Sequence, residues 1–155
     1  MQLDRIDRKI LAAVQADCTI GAEALAELCA TSPSTALRRL RKLRAAGVIR
    51  AEVAVVDGGK VDRSLLMIVG VRLERDDARV AAEFRRRLQA HPAVMQMYFV
   101  TGSADYILHV SAGTMEEYDA FIEAELVSDP NVAMTETHVV IRPLKVGLSL
   151  AIAAE

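Results

Sequence analysis

Ser34, Thr35, Arg38, Arg39 and Lys42 put two hydroxyls and three cations within nine residues. At 100° per residue, Thr35, Arg38, Arg39 and Lys42 share one side of a helix, and Leu37, Leu40 and Leu43 share the other. Arginine offers a planar fork that matches guanine or phosphate with two parallel hydrogen bonds, and lysine offers a point charge suited to phosphate. The helix carrying them has its own punctuation. Ser32 stands at the N-cap position, Pro33 at the first helical position and Gly47 just past the end. Such a helix is roughly 20 Å long at 1.5 Å per residue, with an apolar back and a basic front. It has the size and charge to lie in a DNA major groove. A solvated helix surface presents the same basic face, so the elements that position it decide between the two.

Two apolar-periodic segments precede it. Leu3, Ile6, Ile10, Leu11 and Val14 recur at helical spacing, with Asp4 or Asp7 in the first turn. Gly21 to Cys29 predicts a second short helix, apolar at Ala24, Leu25, Leu28 and Cys29, and Ala30-Thr31-Ser32 is a tight connection to the basic helix. A support helix, a bracing helix, a short turn and an outward helix make the helix-turn-helix order.

Charge divides along the chain. Residues 1–50 hold nine Lys/Arg against five Asp/Glu, a balance of +4, and residues 51–155 hold ten against sixteen, a balance of −6. A basic head on an acidic body fits nucleic-acid binding by the first third. At 155 residues and 52% apolar content the chain can build two small cores. Its amino terminus is charged and amphipathic, and no apolar run approaches the roughly 18 residues of a membrane span. Cys18 and Cys29 lack metal-ligand spacing and fall where helical cores would bury them, which predicts reduced packing thiols in a cytoplasmic protein. The expectation is a protein without metal, cofactor or membrane. His91, His109 and His138 are scattered, and no Ser/His/Asp, Cys/His or paired-carboxylate constellation supports an enzyme.

Beyond Gly47, Val48–Val56 is β-like, and Asp57-Gly58-Gly59 ends it in a turn. The remainder repeats itself. Ala90-His91-Pro92-Ala93-Val94 recurs as Ser128-Asp129-Pro130-Asn131-Val132, an offset of 38 that also relates Val80 to Tyr118, Phe84 to Ile122 and Leu88 to Leu126. Each Pro-x-Val follows an amphipathic helix (about 77–90 and 115–128) and opens a strand, and each helix follows an apolar strand, Leu66–Leu73 or Tyr106–Val110. Strand-helix-strand twice over is the βαββαβ order of a ferredoxin-like sandwich. The strand alternation prefers a slip of one residue against the offset. In Leu66–Leu73 both alternate sets are apolar, yet helices cover only one side of such a sheet, so the other side calls for a second subunit. Past Pro143, Val146, Leu148, Leu150 and Ile152 alternate with small residues as a period-two strand, which predicts packing on the body or on a partner subunit.

Taken together, these residues resemble the leucine-responsive/AsnC family of transcription regulators over nearly the whole chain. Leu3-Asp4-Arg5-Ile6-Asp7-Arg8-Lys9-Ile10-Leu11 is similar to the family's opening helix. Ser32-Pro33-Ser34-Thr35, Leu37 to Leu43 and Gly47-Val48-Ile49 are similar to its recognition helix and exit, and Thr101-Gly102-Ser103-Ala104-Asp105-Tyr106 to its Gly-x-x-Asp-Tyr signature. Arg44 departs from the acidic residue common in the family. The resemblance implies an α+β architecture: a winged helix-turn-helix domain (1–50), a linker strand and hinge (51–64), a ferredoxin-like effector and oligomerisation domain (65–142) and a C-terminal strand or tail (143–155). It implies double-stranded DNA as partner, homodimers assembling to tetramers or octamers, and a small effector, usually an amino acid, near the Gly-x-x-Asp-Tyr turn.

An amino acid needs an acceptor for its ammonium and donors for its carboxylate. Asp105 suits the ammonium, backbone N–H groups around Gly102, Ser103 and Ala104 suit the carboxylate, and hydroxyls of Ser103, Thr135 or Thr137 add donors. The resemblance places His138 near the effector. The same Gly102–Asp105 run also suits a plain hairpin turn tied by its aspartate. Two alternatives to an effector-responsive regulator remain: a ligand-independent architectural protein that wraps DNA, and, more remotely, an enzyme of the haem-pathway decarboxylase type, which resembles the same fold.

Overall fold

The computed structural model describes residues 2–74 and 77–153. The chain forms two compact units, one of Met1–Val55 with Lys145–Glu155 and one of Val56–Leu144.

The first unit is built on α1 (Arg5–Ala16), α2 (Ala22–Cys29) and α3 (Pro33–Ala45). Asp4 caps α1 in a reciprocal box, its carboxylate accepting from the Asp7 N–H while the Asp7 carboxylate accepts from the Asp4 N–H. Ser32 caps α3, and Pro33 occupies its first turn. At the far end the Gly47 N–H donates to the Arg44 carbonyl and the Val48 N–H to the Leu43 carbonyl. That pair of bonds requires left-handed backbone at Gly47, whose φ is +69°. Ile10, Leu11 and Val14 meet Leu25, Ala26, Cys29, Ala36, Leu40 and Leu43 in one core. Two expectations for α2 fail. Ala26 is buried where Ala24 was expected, and Leu28 faces outward with 58% of its surface exposed. Cys29 is buried but Cys18, in the turn after α1, is exposed.

Among the described residues the β-like run Val48–Val56 pairs with no strand, and Val53, Val55 and Val56 stay exposed. The expected linker strand is therefore absent, and a short 3₁₀ turn at Gly58–Lys60 follows it. The apolar tail is no ladder strand either. Gln15 of α1 grips it instead: the Leu150 N–H donates to Gln15 Oε1 at 2.8 Å, and Gln15 Nε2 donates to the Leu150 carbonyl at 3.2 Å. Ile152 packs against the helical core, whereas Val146, Leu148 and Leu150 remain exposed.

The second unit runs β1 (Leu65–Leu73), α4 (Ala78–Ala90), β2 (Val94–Phe99), β3 (Tyr106–Ala112), α5 (Met115–Ile122) and β4 (Val132–Val139), with a π-helical turn Glu123–Val127 extending α5. The strands form one antiparallel sheet in the order β2-β3-β1-β4. Met67, Val69 and Val71 of β1 and Tyr106, Leu108 and Val110 of β3 are buried with Phe84 and Leu88 of α4 and Tyr118 and Phe121 of α5. The opposite face, including Leu66, Ile68, Gly70, Ile107 and His109, is only half covered within the chain.

The one-residue slip in the repeat now has a location. The buried residues of β1 and β3 are 39 apart (67 to 106, 69 to 108, 71 to 110), while β2 and β4 keep the offset of 38. Both second strands even carry their extra, unpaired residue at matching places, Met95 in β2 and Ala133 in β4.

Candidate DNA-reading helix and effector turn

On α3, Ser34, Arg38 and Lys42 are exposed, and Thr35 is half-buried with its hydroxyl accepting from Ser32 Oγ at 2.8 Å. Arg38 and Lys42 make no ion pair among the described residues. Arg39, expected beside them, is engaged elsewhere. Its Nη1 donates to Asp4 Oδ2 at 2.5 Å and to Asp7 Oδ1 at 2.9 Å, and only 24% of its side chain is exposed. The same two carboxylates that close the capping box of α1 thus hold α3 against it. The Asp7 backbone N–H, and after it the Arg39 guanidinium, hold the Asp4 carboxyl below the usual carboxylate range. Arg44 is answered locally, with Nε and Nη2 both donating to Glu52 Oε1.

In the second unit the Gly102–Asp105 turn joins β2 to β3. Gly102 has φ +126°, a conformation open essentially to glycine. Asp105 ties the turn to β1: its N–H donates to the Val71 carbonyl at 2.9 Å, and its Oδ2 accepts from the Leu73 N–H at 2.8 Å. Ala104 lies over Gly70, where an added Cβ would meet the Ala104 methyl at 3.6 Å. The turn therefore edges the uncovered face of the sheet. Paired residues share a face, and Gly70 pairs with Glu136 and Ile68 with His138. His138 and Glu136 lie there together, with Nε2 and Oε1 3.7 Å apart.

Thr135 and Thr137 are not brought to this group. They pair with Val71 and Val69, whose side chains enter the helix-covered core. The Thr137 hydroxyl is bonded to the Tyr118 hydroxyl at 2.6 Å beneath α5. Sequence reasoning missed Glu136, although alternation from His138 was enough to put it on the same face. Asp105 keeps Oδ1 without a protein partner among the described residues, and Ser103 is exposed. Two cavities of about 280 and 310 Å³ occur in this unit, lined respectively by residues such as His91, Ala93 and Phe121 and by Val80, Arg87 and Asn131. Neither includes the Gly102–Asp105 turn.

His91 ends α4, its Nδ1 accepting from the Ala93 N–H and its ring 4.8 Å from that of Phe121. His109 sits on the uncovered sheet face near Tyr98. Among the described residues no group of three or more His, Cys, Asp or Glu could hold a metal, and no helix is long and apolar enough to cross a membrane.

Residues 66–150 match the family model of the Lrp/AsnC ligand-binding domain, and residues 3–50 match a winged helix-turn-helix DNA-binding model. The chain is 38% identical over 152 residues to an HTH-type transcriptional regulator of Sinorhizobium fredii, covering 98% of this chain and 90% of that one. It is 36% identical to the HTH-type transcriptional regulator AldR of Mycolicibacterium smegmatis, over 92% of this chain and 84% of that one. Its fold superposes with TM-score 0.91 and 29% identity, over 97% of each chain, on a Neisseria meningitidis transcriptional regulator solved in complex with L-Met.

Proposed function

Since the chain belongs to the Lrp/AsnC family of transcriptional regulators, we propose that it binds double-stranded DNA through α3 and changes assembly or DNA affinity when a free amino acid occupies the edge of its uncovered sheet face. The observation that carries the DNA half is the exposed front of α3, where Ser34, Arg38 and Lys42 face outward from a helix held by caps at both ends. Thr35 borders that front.

The effector half rests on the group formed by Gly102, Ser103, Ala104 and Asp105 with Glu136 and His138. Carboxylates of Glu136 and Asp105 suit an ammonium, and the N–H groups of the turn suit a carboxylate. The likeness to a neighbour that holds L-Met supports an amino acid as ligand. The site is shallow in one chain, and the half-covered face beside it carries Leu66, Ile68 and Ile107, so a second copy placed there completes both a dimer interface and a wall for the ligand. A dimer presents two α3 helices to paired half-sites, and dimers can join further into tetramers or octamers. Its place of action is the cytoplasm.

The test is a thermal-shift screen of the full chain against the twenty amino acids, paired with DNA titrations. A ligand that binds the folded state raises the melting temperature and, if it controls the protein, alters sedimentation or DNA affinity. Indifference of melting, sedimentation and DNA binding to every amino acid at millimolar concentration would leave a ligand-independent DNA-wrapping protein.

A further inference from the structure

We infer that Arg39 is a positioning residue of the reading helix, setting the aspect of α3 through the capping carboxylates of α1 rather than touching DNA. The inference rests on the reading of α3 as the DNA-binding helix. By sequence Arg39 belongs to the same basic front as Arg38, and the two would be expected to act alike. Their surroundings separate them. Arg38 is exposed, whereas Arg39 is forked between Asp4 and Asp7, and the Asp7 side chain is only 13% exposed. Its Nε is buried without a hydrogen-bond partner, so the guanidinium is held by Nη1 alone against α1. Swinging Arg39 toward a phosphate would strip Asp7 of its counter-charge and disturb the box that starts α1. A residue so bound contributes little free charge to a phosphate.

The fork ties the start of α1 to the middle of α3. Asp4 and Asp7 open α1, and Arg39 lies in the middle of α3, so one ion cluster sets both where α1 begins and how α3 is rotated upon it. Base reading requires side chains of α3 to reach the groove in one register, so rotation of α3 costs selectivity before it costs general attraction to DNA.

Two duplexes test this with the full chain, one enriched from a random pool by the native protein and one of mixed sequence, each titrated over a range of salt. Arg39→Gln is expected to lower the preference for the enriched duplex by about tenfold while the salt slope on mixed sequence stays unchanged. Asp7→Asn removes a negative charge and touches no DNA, yet is expected to lower the preference similarly. Charge alone would change binding to both duplexes equally and leave the preference intact. A slope reduced by about one in Arg39→Gln marks a phosphate contact and overturns the inference. An undiminished preference in Asp7→Asn overturns it too, by leaving direct base contact as the role of Arg39. If Arg39→Gln fails to fold by helical circular dichroism, Asp7→Asn decides alone. Arg38→Gln is the control, and if it alters neither slope nor preference, the reading of α3 itself has failed.

Discussion

Arg44 and Glu52 meet on a single oxygen, Arg44 Nε lying 3.1 Å and Nη2 2.6 Å from Glu52 Oε1. The pair is exposed, with about two-fifths of the arginine side chain and one-third of the glutamate side chain open to solvent. Its coupling energy in a double-mutant cycle is expected at about 1 kcal/mol or less, fading at high salt. A coupling well above that, or one insensitive to salt, would show that the pair is structurally central. Because Glu52 already answers Arg44, Arg44→Ala is expected to weaken DNA binding much less than Arg38→Ala. For Arg38→Ala a loss of about 1–3 kcal/mol follows if the contact is to a base.

Asp4 supplies a pH dependence. Its carboxyl is held below the ordinary value of 3.8 by the Asp7 N–H and then by Arg39. The folded form therefore binds a proton less readily than the unfolded chain. The stabilisation is complete above the ordinary carboxylate range and is lost as pH falls through the lowered folded value. Acid melting of the first unit is expected to become less steep in Asp4→Asn, whose neutral side chain can still accept the capping bond. An identical acid profile in variant and native protein would detach Asp4 from acid stability.

Thr137 and His138 are neighbours in sequence with opposite expected phenotypes. Thr137→Val breaks the bond to Tyr118 under α5 and leaves the hydroxyl of a buried tyrosine unpaired, costing about 1–3 kcal/mol of stability. Its thermal shift with the active amino acid should be unchanged. Glu136→Gln and His138→Ala should barely move the unliganded melting temperature, being exposed, but should reduce the ligand-induced shift. The reverse pattern would move the ligand to the helix-covered side.

The clasp between Gln15 and Leu150 makes its own demand. Gln15→Ala removes two hydrogen bonds to the tail and should lower the stability of the helical unit by about 1 kcal/mol, with Ile152→Ala of similar size. Greater protease sensitivity of residues 145–153 in both variants is the accompanying readout. If neither stability nor cleavage changes, the clasp is inconsequential.

Local chemistry was the legible part. Ser32, Pro33 and Gly47 marked both ends of α3 because caps are short-range devices, and the recurrence of Pro92 and Pro130 marked the doubled strand-helix-strand order. Long-range engagement of polar side chains was not legible. Arg39 looked like Arg38 because a helical wheel records faces, whereas its partners stand 32 and 35 residues away. Hydroxyl chemistry alone suggests Thr137 as a ligand residue, but strand parity pairs it with Val69 and sends it under α5. The alternation of the tail predicts a strand, since nothing local shows that a glutamine 135 residues earlier holds it.

The clasp also orders events during synthesis. The three helices of the first unit leave the ribosome before the whole of the second unit, and the segment that fastens onto α1 follows that unit. At about 5–20 residues per second, the roughly 100 intervening residues impose a wait of about 5–20 s. Throughout that interval the nascent reader has its capping box and its core, but Gln15 has nothing to hold. Full strength of the helical unit thus waits on residues 145–153.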